Sequence, residues 1–134
     1  MPTSSGKRNV LIVDDDPSVA ETLELIISRQ GHETRVAPSA EEAFVMIATW
    51  QPDLAVLDVM LPGISGIEFA KMLRNIDPEC EIVLVSGHPG ADELVEIART
   101  QGQALSFLPK PLDPVTILAI ASGQSPGSAE KTDA

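Results

Sequence analysis

Five runs of four or five residues, rich in Val, Ile or Leu, alternate along the chain with longer stretches whose apolar residues recur at helical spacing. The runs are Asn9 to Val13, Glu33 to Val36, Leu54 to Leu57, Ile82 to Val85 and Leu105 to Leu108. Runs this short and this apolar read as strands buried on both faces. The stretches between and after them predict helices over Pro17 to Gln30, Ala40 to Trp50, Gly66 to Asn75, Asp92 to Gln101 and Pro114 to Ala121. Punctuation supports these bounds. Pro17 and Pro114 suit first-turn positions, Ser39 with Glu42 suits an N-cap, and Gly31 and Gly102 stand where helices stop. Five strand-helix repeats define an α/β fold: a doubly wound, five-stranded parallel sheet.

The ends of the chain differ from its middle. Residues 1–8 and 123–134 are rich in Ser, Gly and Pro and nearly free of large apolar groups, so both are expected to be disordered tails or linkers around one domain over residues 9–122. With 9 basic against 20 acidic residues the net charge is −11, which opposes phosphate backbones and anionic lipid surfaces. Direct nucleic-acid binding and membrane association are therefore not expected. One cysteine, Cys80, cannot form an internal disulfide, and neither a spanning segment nor a signal peptide is visible, so a reducing cytoplasm is the expected compartment.

Ligands of open parallel sheets bind beyond the carboxyl ends of the strands, where the winding reverses. That rule selects Asp14 and Asp15 after the first strand, Asp58 after the third, Ser86 after the fourth and Lys110 after the fifth. Crowded carboxylates repel one another unless a hard cation with oxygen ligands joins them, and magnesium held by a few carboxylates leaves room for a phosphoryl group. Asp58 is then a candidate nucleophile toward phosphorus, with Lys110 stabilising oxygens of the transferred group. The Ser86 hydroxyl and the Gly87 backbone N–H suit the same group after transfer.

The motifs "VDDDP", "LDVMLPGISG", "VLVSG" and "FLPKP", in this order between about Asn9 and Ala121, resemble those of receiver domains of the two-component response regulators. The resemblance implies a phosphorylation-controlled switch with flavodoxin-like strand order 2-1-3-4-5. Asp58 would accept a phosphoryl group from a sensor histidine kinase or phosphotransfer protein and later lose it by autodephosphorylation. It further implies that Asp15, Asp58 and the Met60 backbone carbonyl bind Mg2+ or Mn2+, with Asp14 assisting through water. Ser86 and Lys110 take phosphate-sensing roles, and Phe107 the aromatic switch position, where it lacks a tyrosine hydroxyl. The Lys110-Pro111 peptide would be cis. Kinase docking is expected around Pro17, Ser18, Glu21, Pro111 and Leu112.

Other readings remain beside this one. "DDDPS" also fits the opening of haloacid-dehalogenase-type phosphohydrolases, with Asp14 as nucleophile and Asp16 as acid/base, although Asp16 before Pro17 is equally placed to be a helix cap. No effector module follows the last helix within these residues, so the chain reads as a stand-alone switch or as a segment of a longer regulator or hybrid kinase. One residue more than usual between Gly102 and Phe107 suggests a bulged or shifted loop. The last helix is expected to turn Pro114, Ile117 and Ala121 to the sheet and to leave Val115, Leu118 and Ile120 outward, as a contact for a second copy or a downstream protein. His32 and His88 are expected to be exposed loop residues, and Trp50 and Cys80 packing residues.

Overall fold

A computed structural model of the protein describes residues 6–102 and 105–123. Its elements are β1 (Asn9–Val13), α1 (Pro17–Ser28), β2 (Glu33–Ala37), α2 (Ala40–Met46), β3 (Leu54–Asp58), α3 (Gly66–Ile76), β4 (Glu81–Ser86), α4 (Ala91–Thr100), β5 (Ser106–Pro109) and α5 (Pro114–Ala121). All strand pairs are parallel, in the order β2-β1-β3-β4-β5. The winding reverses between β1 and β3, so their carboxyl ends flank the crevice that this class of sheet uses for ligands.

Strand alternation divides the core between the two faces. Leu11, Val13, Ala55, Leu57, Ile82 and Leu84 pack under α2, α3 and α4, against Ala43, Phe69, Leu73 and Val95. Val10, Ile12, Leu54, Val56, Val83 and Val85 point the other way, onto Leu23 and Ile27 of α1 and Ile117, Ile120 and Ala121 of α5. Full burial of a side chain such as Phe69 or Leu73 is worth about 1.5–3 kcal/mol, so these two layers carry most of the stability. Local signals set where the helices begin. Asp16 caps α1 by accepting from the Ser18 N–H at 3.0 Å, and Ser39 caps α2 by accepting from the Glu42 N–H at 3.1 Å. Ser65 and Glu68 close a reciprocal capping box at the start of α3.

Several bounds and placements depart from the sequence reading. The edge strand β2 is not buried on both faces, since Glu33 and Arg35, in register with Asn9 and Leu11, are exposed. Helix α2 stops at Met46 because the chain tightens through Ala48 N–H to Val45 O and Thr49 N–H to Met46 O, which brings Trp50 into the core. The Trp50 indole N–H donates to Glu33, and the Arg35 guanidinium lies 4.7 Å from its ring centre. His32 is buried rather than exposed, because its Nδ1 accepts the backbone N–H of Arg8 at 3.1 Å; His88 is exposed and Cys80 buried.

In α5, Ile120 is buried and Pro114 exposed, the reverse of the expectation. Ile120 lies three residues beyond Ile117 and beside Ala121, so all three share the stripe against the sheet. Pro114, at the first position, projects before that stripe begins. Val115 remains 72% exposed and Leu118 half-buried. The expected irregularity after Gly102 falls on Gln103 and Ala104, outside the described residues, while Leu105 is buried and its carbonyl accepts from Arg99 Nε at 2.8 Å.

Arg8, just ahead of β1, ties several elements together at the opposite end of the sheet from the crevice. Its guanidinium donates to the carbonyls of Ile120, Ala121 and Asp53 and pairs with Glu81 at 3.1 Å. The end of α5 is thereby closed twice, since the Ile120 carbonyl also accepts the Gly123 N–H at 2.9 Å and Arg8 reaches the Ala121 carbonyl beyond it.

Candidate functional site

The strand ends deliver the acids. Asp14 follows β1 and is buried, Asp15 beside it is exposed, and Asp58 ends β3 and is buried. Parallel pairing aligns β1 and β3 so that Val13 lies opposite Leu57, which puts their following carboxylates side by side. One oxygen from each of Asp14, Asp15 and Asp58 can be chosen so that all three lie within 4.8 Å of one another.

Lys110 enters this cluster from the loop after β5. Its ammonium donates to Asp14 Oδ2 at 2.8 Å and to Asp58 Oδ2 at 3.3 Å. The Lys110-Pro111 peptide is cis. The other oxygens are also engaged: Asp16 N–H donates to Asp14 Oδ1 at 2.9 Å, and Met60 N–H donates to Asp58 Oδ1 at 3.1 Å. Burial holds the Asp58 carboxyl above its ordinary value, and the charge of Asp14 adds to this against the opposing pull of Met60 N–H and Lys110. Burial alone would lower Lys110, but the hydrogen bond and charge of Asp14, then those of Asp58, leave it raised. One ammonium among three carboxylates leaves the cluster net negative. Such a donor set, hard oxygens around a charge deficit, fits a small divalent cation.

Ser86 and Gly87 border the same pocket. Lys110 N–H donates to the Ser86 carbonyl at 3.0 Å, and a side chain on Gly87 would meet Lys110 Cβ at 3.4 Å. The buried Ser86 hydroxyl accepts the His88 N–H at 3.1 Å. Phe107 lies apart from the acids: it pairs with Leu84 along β5, half-buried, and lines a groove of about 470 Å³ with Asp92, Glu96 and Ile97 of α4. Asp16 is exposed and committed to its cap, where the Ser18 hydroxyl and N–H bonds lower its pKa. That placement suits the cap and not an acid/base group.

Gly66 shows why the β3–α3 turn is built as it is. Its N–H donates to Val59 O at 3.0 Å, and a Cβ there would collide with the Asp58 carbonyl. The absence of a side chain lets α3 begin against the back of Asp58. Sequence reasoning passed over Glu41, whose carboxylate reaches this turn from α2 and accepts the Ile64 N–H at 3.2 Å.

A family model described as the response regulator receiver domain matches residues 10–122. The chain belongs to this family. Among relatives, the DNA-binding response regulator MtrA of Mycolicibacterium smegmatis is 32% identical over 113 residues, covering 84% of this chain and 48% of that protein. The transcriptional regulatory protein AfsQ1 of Streptomyces coelicolor is 38% identical over 87 residues, covering 65% of this chain and 39% of AfsQ1. The receiver thus spans about half or less of the length of these curated relatives. Among solved structures, the receiver domain of NtrX from Brucella abortus superposes with a TM-score of 0.73 at 31% identity, covering 84% of this chain and 93% of that one.

A phosphorylation-controlled switch is the function of the family, and receivers interact with histidine kinases or phosphotransfer partners. Family members bind Mg2+ through an acidic cluster, which here corresponds to the Asp14, Asp15 and Asp58 group. Among the described residues no helix is long and apolar enough to cross a membrane.

Proposed function

We propose that Asp58 is the phosphoacceptor of this receiver and that the surrounding residues make its phosphorylation a binding switch. The carrying observation is the pairing of the buried Asp58 carboxylate with Lys110 beside two further acids. Burial weakens the solvation of that anion, which keeps it basic enough to attack. In transfer from a phosphohistidine, an Asp58 oxygen forms a bond to phosphorus as the N–P bond breaks and the imidazole leaves with the electron pair. The product is an acyl phosphate on Asp58.

Asp14, Asp15, Asp58 and the Met60 carbonyl would hold Mg2+ or Mn2+, which cancels charge on the phosphoryl oxygens when bound. Lys110 exchanges its contact with Asp58 for one with a phosphoryl oxygen. The Ser86 hydroxyl and Gly87 N–H take up the remaining oxygens, and the shift passes along β4 and β5 toward Phe107 and α4. Water attack on the same acyl phosphate would reset the switch.

A donor histidine reaches Asp58 across the groove of about 460 Å³ between α1 and the loop after β5, lined by Ser18, Val19, Thr22, Lys110, Pro111 and Leu112. Cys80 is free and buried, and burial pushes its thiol up to about 12, so it takes no part in this chemistry; the reading includes a cytoplasmic setting. The proposal holds alike for a stand-alone switch and for a segment of a longer regulator or hybrid kinase.

Incubation with acetyl phosphate and Mg2+ is expected to add one phosphoryl group by intact-mass analysis, and to add none after chelation or in Asp58→Asn. With a phosphorylated kinase as donor, Leu112→Glu is expected to slow transfer while the rate from acetyl phosphate stays unchanged. Undiminished labelling of Asp58→Asn would overturn the assignment.

A further inference from the structure

The loop that carries Met60 is fixed at its inner end by Asp58 and at its far end by the capping box of α3. Between these points it turns through Pro62 and Gly63, and there a residue of another element holds it. Glu41, in the first turn of α2, accepts the Ile64 N–H through Oε2 at 3.2 Å across 23 positions of sequence. The contact is close: Gly63 has φ +75°, and a Cβ at that position would lie 2.6 Å from Glu41 Oε2. Gly63 suits the left-handed backbone of this turn, and its lack of a side chain lets the Glu41 carboxylate lie against it.

We propose that Glu41 is a positioning residue for the cation site, clamping the β3–α3 loop so that the Met60 carbonyl is presented for binding. The inference rests on the reading of Met60 as a ligand. Pro62 restricts φ and Gly63 is seated against the clamp, so the five residues from Met60 to Ile64 form a short, stiff lever. Fixing its outer end restricts its inner end, and a pre-ordered ligand binds without the entropy cost of ordering it. Glu41 is exposed and touches the loop through its side chain, so its removal leaves the hydrophobic core intact.

The test is Mg2+ titration of the unphosphorylated protein, followed by calorimetry or by amide chemical shifts, in wild type, Glu41→Ala and Glu41→Gln. Freeing the loop is expected to weaken the Kd about three- to tenfold in Glu41→Ala, the size of the cost of ordering one mobile group on binding. Glu41→Gln keeps an acceptor oxygen at the same reach while removing the charge, and is expected to stay within about twofold of wild type. Equal weakening in both variants would indicate loss of negative charge alone and would overturn the clamp. Wild-type affinity in Glu41→Ala would overturn it as well. Absence of Mg2+ binding by the wild-type protein would instead overturn the reading of the cation site, and the clamp with it.

Discussion

Lys110 and His32 show how one side chain can join distant parts of this chain, and only the first is foreshadowed by its neighbours. Lys110 lies between two prolines at a strand end, where a charge can be aimed at the acids of β1 and β3. His32 closes the far end of the sheet, its Nδ1 accepting the Arg8 N–H, and both burial and the Arg8 charge lower its pKa. Between that lowered value and the ordinary 6.5, the unfolded chain binds more protons than the native one. Stability contributed by neutral His32 is thus complete above about 6.5 and lost as pH falls toward the native value. Urea denaturation at pH 7.5, 6.5 and 5.5 is expected to show wild type losing more stability on acidification than His32→Asn, which cannot titrate. Identical slopes would exclude His32 as a contributor. Nothing in "GHET" announces this role, because the partner is the main chain of a residue 24 positions away. Glu41 was hidden for the same reason, whereas Asp14, Asp58, Ser86 and Lys110 were legible from their positions at strand ends.

Among elements, strands were easier to read than helix faces. A run such as "LAVLD" has few alternatives once both its faces are buried, and β1 and α5 have the expected bounds. Where the pattern was mixed, tertiary contacts decided: α2 gave up its last turn to bury Trp50, and β2 accepted an exposed face as the sheet edge. The last helix is the instructive case. Its eight residues carry no charge to mark the outer side, so Ile120 could be assigned to either face until α1 and the sheet were in place. Ile120→Glu is expected to destabilise the fold by about 2–4 kcal/mol, since it puts a carboxylate into an apolar layer. Val115→Glu, on the exposed side, is expected to change stability by less than about 0.5 kcal/mol. Denaturation midpoints of the two variants check both values. A neutral Ile120→Glu would show that the outward assignment from sequence was right after all.

On the scale of the whole molecule, a net charge of −11 and an acid cluster with two buried members predict that a cation bound there would stabilise the fold. A ligand that binds only the native state at 100 times its Kd adds about 2.7 kcal/mol, which for a domain of this size raises Tm by roughly 10 °C. Thermal melts in EDTA and in excess Mg2+ are expected to differ by about that amount, and Asp58→Ala to lose most of the difference. A wild-type melt indifferent to Mg2+ would contradict the cation site.

The Arg8 tether has a practical consequence for such measurements. Because the Arg8 guanidinium bonds the end of α5, the approach to β1 and the last described residue, Gly123, lie side by side. The acids stand at the other edge of the sheet, about 17 Å away for strands of this length. A dye or an immobilising anchor attached at either point would therefore leave the approach to Asp58 clear, so that surface-based binding assays can sample the pocket without being shaded by their own attachment.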